Sequence, residues 1–209
     1  NNFNGFNILQ QDISKVGAID IGFYNQDFAQ NFNQNIKKHI NKFNPVVFLL
    51  SSDEINHSIL EGAFIVYLGH HGDDLAQLAD IVLPSPAYTE KSSTYMNMEG
   101  RVLQTTRCYH PLGVSKEEWK IFRALSNNFS QKLKFNNLSE LRNEISNLFP
   151  VFKEINNLPP SSKLDFGSST KIEDRVLEYN IKNFYMTDVI SRASITMANC
   201  TREILNKVA

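Results

Sequence analysis

Three short apolar runs constrain the fold of this 209-residue chain most strongly. They occupy residues 45–50, 64–68 and 80–84, and all three are rich in Val, Ile and Leu. Continuous apolar runs of this length are typical of strands that are buried on both faces, as in the parallel sheets of α/β proteins. The chain is therefore predicted to be an α/β protein with a mostly parallel sheet.

Apolar side chains at helical spacing flank these runs and predict helices that cover the sheet. Phe32, Ile36 and Ile40 recur on one face before the first run, as expected of a crossover helix that leads into a strand. Ser115 and Glu118 match a capping box, in which the two side chains satisfy free N–H groups at a helix start. The predicted helices cover residues 8–19, 27–43, 116–129 and 139–148.

A stretch rich in Pro, Gly and Ser divides the chain. Residues 158–162 and 167–169 carry these helix-breaking and strand-breaking residues and predict a linker. We therefore expect an α/β domain over residues 1–158 and a C-terminal appendage over residues 159–209. Apolar residues at helical spacing in 187–208 predict a terminal helix, which would dock on the parent domain or in a partner groove.

Charge and hydropathy argue against two classes of partner. The formal net charge of −1 provides no long-range attraction for nucleic acid or an anionic membrane. No apolar run approaches the roughly 20 residues of a membrane-spanning helix, so we predict no nucleic-acid partner and no direct membrane insertion. Residues 1–11 lack Met and any targeting pattern, and the chain is expected to begin at a cut or interior end, of a split gene or of a longer protein.

The cysteines and the known catalytic patterns point away from chemistry in this chain. Cys108 and Cys200 lie far apart and match neither a disulfide framework nor a Cys-x-x-Cys motif. The sequence also lacks the Gly-x-Ser-x-Gly elbow and the glycine-rich phosphate-binding loops. We therefore predict no metal site, no bound cofactor and no catalytic residues in this chain.

A pair of adjacent histidines follows the second predicted strand, where α/β folds bind ligands. Residues 69–74 read Gly-His-His-Gly-Asp-Asp. Adjacent His residues rarely point at one ion, and a glycine-flanked turn with helix-capping aspartates is the preferred interpretation. Arg101 and Arg107 could bind phosphate or carboxylate, but surface salt bridges are the favoured use of both.

Five stretches between residues 69 and 104 together resemble one long, ordered pattern. They are Gly-His-His-Gly-Asp at 69–73, Ala-Asp-Ile-Val-Leu-Pro at 79–84, Tyr-Thr-Glu-Lys-Ser at 88–92, Thr-Tyr-Met-Asn at 94–97 and Glu-Gly-Arg-Val-Leu-Gln at 99–104. This order resembles the molybdopterin oxidoreductase family. The resemblance implies that residues 1–158 form the C-terminal portion of a molybdopterin-oxidoreductase-like α/β domain with cover helices.

Two further stretches narrow the resemblance. Glu-Trp-Lys-Ile-Phe-Arg-Ala-Leu-Ser at 118–126 and Phe-Tyr-Met-Thr-Asp-Val-Ile-Ser-Arg-Ala-Ser at 184–194 resemble the C-terminal part of the large iron–sulfur subunits of respiratory complex I, NADH-ubiquinone oxidoreductase. The second stretch resembles the mitochondrial type in particular. The resemblance runs over nearly the whole chain.

The resemblance implies that this chain is part of a respiratory-chain assembly and does not itself carry out a reaction. The parent assembly is expected to oxidise NADH, to pump protons, to carry FMN and iron–sulfur clusters, and to lie on the matrix side of the mitochondrial inner membrane. The cluster-binding cysteines of this family lie in N-terminal domains, and two cysteines cannot supply the four ligands of a cluster. The chain is therefore expected to be a structural segment that contacts other peripheral-arm subunits and the N-terminal iron–sulfur part of its own subunit.

The resemblance also nominates site residues. His70, His71, Asp73, Asn97 and Arg101 are candidates for the remnant of a pterin site. A polar network is expected to hold the loop after Pro84, and its members are Thr89, Glu90, Lys91, Asn97, Glu99 and Arg101. Two alternatives stay open: a fragment of an active, formate-dehydrogenase-like molybdopterin enzyme, and a free-standing binding module that folds as a monomer.

Overall fold

The computed structural model describes residues 9–10, 12–23, 32–52, 55–159 and 183–205. Within these ranges the strands are β1 Val46–Leu50, β2 Phe64–Gly69, β3 Ile81–Pro84, β4 Thr94–Met96 and β5 Val102–Gln104. The α-helices there are α1 Lys15–Asp20, α2 Phe32–Phe43, α3 Asp74–Leu78, α4 Glu118–Leu125, α5 Leu138–Leu148, α6 Val189–Arg192 and α7 Ile195–Cys200. None of the described helices has both the length and the apolar character needed to cross a membrane.

The first three strands form a parallel sheet in the order β1-β2-β3. Leu50 pairs with Leu68, and Gly69 pairs with Pro84, so the carboxyl ends of the strands lie at the same edge. Helix α3 connects β2 to β3, as the crossover between parallel strands requires. The predicted α/β class and the parallel sheet are confirmed.

Only the central strand has the deep burial that was predicted for all three. Leu68 of β2 is fully buried, whereas Val46 of β1 is 55% exposed and Val82 of β3 is 49% exposed. The prediction was therefore wrong for β1 and β3. Among the described residues, each of them has a strand neighbour on one side only, and the helices there leave several of their side chains uncovered.

In the described part of the chain the sheet carries one of two hydrophobic cores, and two of the four predicted helices cover it. Ile40 of α2 packs in one cluster with Leu49, Ile65 and Tyr67 of the sheet. Helix α4 also reaches the sheet, because the ring of Phe122 lies against that of Phe48 with centroids 5.5 Å apart. The amphipathic faces of both helices therefore serve to bury sheet residues.

The β4–β5 hairpin has a separate core. Met96 and Val102 are buried together with Phe152, and Ile145 of α5 packs against them. The hydroxyl Oγ of Ser14, at the start of α1, accepts a hydrogen bond of 2.9 Å from the N–H of Met96. Helices α1 and α5 thus cover the hairpin rather than the parallel sheet.

The capping box predicted at Ser115 is wrong, and α4 begins at Glu118 rather than at residue 116. The Ser115 hydroxyl donates instead to the carbonyl O of Leu112 at 2.8 Å. Lys116 donates its N–H to Pro84 O at 3.1 Å, which ties the chain to the end of β3 and delays the helical conformation until Glu118.

The single terminal helix predicted over 187–208 is also wrong. It is divided into α6, α7 and a π-helical turn Thr201–Leu205. The break follows Ala193, where the Ser194 side chain accepts from the N–H of Met197 and starts a new helix. Residues 206–208 of that prediction, residues 27–31 of the second helix, and the linker residues 160–162 and 167–169 lie outside the described residues.

Candidate functional site

The candidate site lies at the carboxyl edge of the parallel sheet. The turn that starts at Gly69 leaves β2 beside the chain that leaves β3, because Ser85 donates its N–H to Gly69 O at 2.9 Å. Ser85 is only 2% exposed, and its Oγ has no hydrogen-bond partner among the described residues. Gly69 also makes room for the Tyr67 phenol, which occupies the space that a Cβ at this position would need.

The two histidines of this turn bond to each other. Their Nδ1 atoms are 2.6 Å apart, and the rings are perpendicular with centroids 4.9 Å apart. One ring must donate and the other accept, so the pair cannot keep this bond when both rings are protonated. Burial, and then the charges of His71 and Lys91, lower the pKa of His70 from its ordinary value.

Asp73 connects the turn with the C-terminal appendage. Its carboxylate caps α3 by accepting the N–H of Asp74 at 3.0 Å. Its Oδ2 also accepts from Arg192, with Nη2 at 2.8 Å and Nε at 3.1 Å. Burial alone would raise the pKa of Asp73, but the Asp74 N–H and the Arg192 guanidinium hold it below its ordinary value. The capping role predicted for this aspartate is confirmed.

Sequence reasoning missed Arg192 as a partner of this turn. It belongs to the 184–194 stretch that carried the resemblance, and that membership was the available signal. Its distance of 119 residues from Asp73 could not be bridged by spacing rules. No group of three or more His, Cys, Asp or Glu side chains in the described part of the chain could hold a metal ion.

The segment after β3 is tied to α4 and to the loop before it. Lys91 Nζ forms an ion pair with Glu118 Oε1 at 2.6 Å, and both side chains are largely buried. Glu90 Oε2 accepts the N–H of Ala87 at 3.0 Å, and the carbonyl O of Thr89 accepts the N–H of Cys108 at 2.9 Å. Residues 89–91 therefore connect the loop after Pro84 to α4 and to the loop before it.

Asn97 organises the turn of the β4–β5 hairpin. Its Oδ1 accepts from the N–H groups of Glu99 and Arg101 at 3.0 and 2.9 Å. Gly100 lies in this turn with φ +80°, in the left-handed region that side chains with a Cβ rarely adopt. The guanidinium of Arg101 donates to the carbonyl O of Asn156, beyond the hairpin.

The residues of the expected network thus form two separate sets of hydrogen bonds and ion pairs. Among the described residues, no hydrogen bond or ion pair joins the 89–91 segment to the 97–101 turn. The same holds between His70, His71 or Asp73 and the 97–101 turn. The physical reason is that each set of hydrogen bonds is local. The first connects the segment after β3 to α4, and the second stabilises the turn between β4 and β5.

The predicted salt bridges of Arg101 and Arg107 are wrong within the described part of the chain. Arg101 bonds the backbone carbonyl of Asn156, and Arg107 forms no ion pair with a described residue. Arg107 lines a pocket of about 440 Å³. Glu117, Trp119 and Lys120 also line this pocket, which sequence reasoning missed.

The nominated pterin residues all take part in hydrogen bonds within the protein. Ligand sites need polar groups that are available to bond the ligand. The Nδ1 atoms of His70 and His71 bond each other, and the Asp73 carboxylate bonds Asp74 and Arg192. Asn97 Oδ1 accepts two backbone N–H groups, and the Arg101 guanidinium bonds the carbonyl of Asn156. These side chains stabilise the turn after β2 and the turn of the hairpin, and they connect both turns to other parts of the chain.

Two family models match the chain in succession. Residues 1–128 match molybdopterin oxidoreductase, and residues 160–200 match the C-terminal model of the G subunit of NADH-ubiquinone oxidoreductase. These matches confirm the resemblance that the motifs predicted.

Similar proteins cover nearly the whole chain. The 78 kDa mitochondrial subunit of NADH-ubiquinone oxidoreductase from Candida albicans is 39% identical over 95% of this chain and 28% of its own length. The 75 kDa subunit from Reclinomonas americana is 37% identical over 96% of this chain and 29% of its own length. The G subunit of NADH-quinone oxidoreductase from Rickettsia bellii is 38% identical over 95% of this chain and 28% of its own length. The chain therefore spans less than a third of the length of these relatives.

Proposed function

We propose that this chain, which belongs to the molybdopterin oxidoreductase family, is a structural segment of the peripheral arm of respiratory complex I. It would support electron transfer from NADH to ubiquinone without a redox centre of its own. The similarity to NADH-ubiquinone oxidoreductase subunits over about 95% of the chain supports this role. Its two cysteines are too few for a four-ligand cluster.

The observation that carries the proposal is a well-packed core surrounded by uncovered apolar side chains. Leu68 is fully buried in β2, while its register partner Leu50 is 48% exposed. Phe64 and Val82 are 45% and 49% exposed on the same sheet. Exposed apolar surface of this kind marks a contact with another protein surface. A segment that packs against neighbours and fixes their positions accounts for it.

The polar residues have positioning roles in this proposal. The network of Thr89, Glu90, Lys91, Asn97, Glu99 and Arg101 would keep two loops in shape for such contacts. His70, His71 and Asp73 would hold the turn after β2 and the docked appendage, and none of them would bind a cofactor. Their internal hydrogen bonds support this assignment.

The rest of the assembly would supply the chemistry. We propose that FMN and the iron–sulfur clusters lie in other parts of the complex, and that this chain contacts other peripheral-arm subunits and the N-terminal iron–sulfur part of its own subunit. The location would be the matrix side of the mitochondrial inner membrane. Residues 1–158 and 159–209 remain our division into an α/β domain and an appendage.

A fragment of an active, formate-dehydrogenase-like enzyme is not favoured. The relatives are named as subunits of NADH-ubiquinone or NADH-quinone oxidoreductase, and the match of residues 160–200 is to a model of the same assembly. A free-standing binding module is disfavoured by the uncovered apolar side chains of the sheet.

Purification of the parent assembly through a tag on this chain tests the proposal. We expect the tagged chain to co-purify with NADH oxidation that uses ubiquinone as the electron acceptor. Elemental analysis of the same sample should find iron but no stoichiometric molybdenum or tungsten. Stoichiometric molybdenum, or a tagged chain that purifies alone from a strain with active complex I, would contradict the proposal.

A further inference from the structure

The connection between β5 and α4 is a loop held at both ends. At its start, Thr105 donates its N–H to Ser93 O at 2.9 Å, and Arg107 donates its N–H to Ser92 Oγ at 3.0 Å. At its end, Lys116 bonds Pro84 O. These bonds fix the path of residues 105–116, which we call the 105–116 loop.

The tip of this loop presents apolar side chains to solvent. The N–H and the hydroxyl of Ser115 both donate to Leu112 O, which closes a turn around Gly113 with φ +57°. Tyr109, Leu112 and Val114 are each more than 70% exposed. A closed turn that displays large apolar side chains loses little conformational entropy on binding.

The loop also carries positive charge, and it contains no acidic residue itself. Residues 100–116 contain Arg101, Arg107 and Lys116 but no Asp or Glu, although the whole chain has a net charge of −1. The next carboxylate, that of Glu117, is committed to Lys120 Nζ at 2.7 Å and to Trp119 Nε1 at 2.9 Å. Two cations, Arg107 and Lys120, and one carboxylate, that of Glu117, line the same pocket, which leaves one excess positive charge that favours an incoming carboxylate.

A pocket lies beside the loop. Arg107 lines the pocket of about 440 Å³ together with Trp119, Asn136 and Asn137. The Arg107 guanidinium makes no ion pair with a described residue, although it is close enough for its charge to lower the pKa of Glu117, after the larger effects of burial and of the bonds from Lys120 and Trp119. Arg beside Trp in a pocket is the composition of interface hot spots.

We propose that the 105–116 loop and the Arg107 pocket form a docking surface for a neighbouring protein chain of the assembly. That chain would place an Asp or Glu side chain against Arg107 and apolar side chains against Leu112 and Val114. The inference rests on the proposed function, which supplies neighbours for this chain. Three cations over seventeen residues are too few for a nucleic acid or anionic lipid surface, whose affinity comes from many such contacts.

Charge reversal in the full-length chain of the assembled complex tests this surface. Arg107→Glu should weaken retention of the neighbouring chain on the order of tenfold in a salt wash, and Leu112→Ser should weaken it further. The matched controls are Lys38→Glu on the exposed face of α2 and Leu148→Ser at the end of α5, which should leave retention unchanged. Equal retention in Arg107→Glu and Lys38→Glu would overturn the inference.

Site-specific photo-cross-linking identifies the occupant. A photoreactive residue at position 112 should capture a peptide that contains Asp or Glu and lies in a protein of the purified complex. Replacing that carboxylate with Lys should restore retention to Arg107→Glu. Cross-links to lipid or nucleic acid, or no rescue by the charge swap, would overturn the inference. Failure of the wild-type chain to co-purify with complex I would instead contradict the proposed function.

Discussion

Asp73 links two parts of the chain through one carboxylate. It caps α3 through the N–H of Asp74 and pairs with Arg192 of α6, at side-chain exposures of 24% and 29%. Partly buried pairs of this kind keep more of their Coulomb energy than exposed pairs do. The turn after β2 and the appendage are therefore coupled through this residue.

Asp73→Ala should loosen both ends of this link. We expect the free energy of unfolding to fall by about 1–2 kcal/mol, because the helix cap and the ion pair disappear together. Asp73→Asn is the matched control, since Asn can cap the helix but cannot pair with Arg192. Amide hydrogen exchange of residues 189–200 in the assembled complex should accelerate in both variants, and that of α3 in Asp73→Ala alone.

The same ion pair should depend on pH in the acidic range. The pKa of Asp73 is held below its ordinary value, so its contribution is present above about pH 4 and is lost as the pH falls through the lowered value. Exchange of residues 189–200, corrected for the intrinsic rate, should therefore rise at low pH in the wild type. The rise should be smaller in Asp73→Asn, and an equal rise would contradict the role of this pair.

The His70–His71 pair should respond at higher pH. The lowered pKa of His70 means that the unfolded chain binds its proton first, so stability falls as the pH drops from about 6.5 through the folded value. Burial is the main cause of the lowered pKa, and the charged groups that also act on it are His71, Lys91, Glu90 and Glu118. His70→Gln should flatten the dependence of the thermal unfolding midpoint on pH in this range. A dependence as steep as in the wild type would show that another group is responsible.

At the scale of elements, the β4–β5 hairpin depends on one amide side chain. Asn97→Ala removes the acceptor of two backbone N–H groups and should destabilise the hairpin by about 1–2 kcal/mol. Asn97→Asp keeps the acceptor and should recover most of this loss. Protease cleavage at residues 97–101 of the purified complex measures the difference. Equal cleavage in the two variants would mean that the turn is held by other contacts.

Element boundaries show where local rules stop. The apolar runs correctly predicted β1, β2 and β3, because strand-length runs of Val, Ile and Leu have few other uses. The start of α4 was placed two residues early, because Ser115 bonds Leu112 and Lys116 bonds Pro84. Both partners depend on where the loop passes, which local sequence does not encode.

At the scale of the whole molecule, the uncovered sheet should make the isolated chain prone to aggregation. Leu50→Ser and Val82→Ser should raise the soluble fraction of the chain expressed alone, because both side chains are about half exposed. The same variants should lower incorporation into the complex. Leu68→Ser is the contrasting variant. Leu68 is buried, so its replacement should lower both the soluble fraction and the incorporation into the complex. Size-exclusion chromatography and tag-based purification measure the two effects, and normal incorporation of Val82→Ser would contradict a covered sheet.

Sequence alone determined the fold class, the three strands of the parallel sheet and the kinship of this chain. Those properties depend on local hydrophobic patterning and on motifs that are written in order along the chain, as at residues 69–104. It also identified Asp73 as a helix cap, because capping acts within four residues.

Only the tertiary structure decided which groups meet. It separated the 89–91 segment from the Asn97 turn, paired Asp73 with Arg192 across 119 residues, and left Arg107 without an ion-pair partner in the described part of the chain. Such contacts depend on the angles and connections of packed elements, and a single sequence carries no local record of them. For the same reason, the exposure of β1 and β3 could be read only from the structure, because it depends on what else covers the sheet.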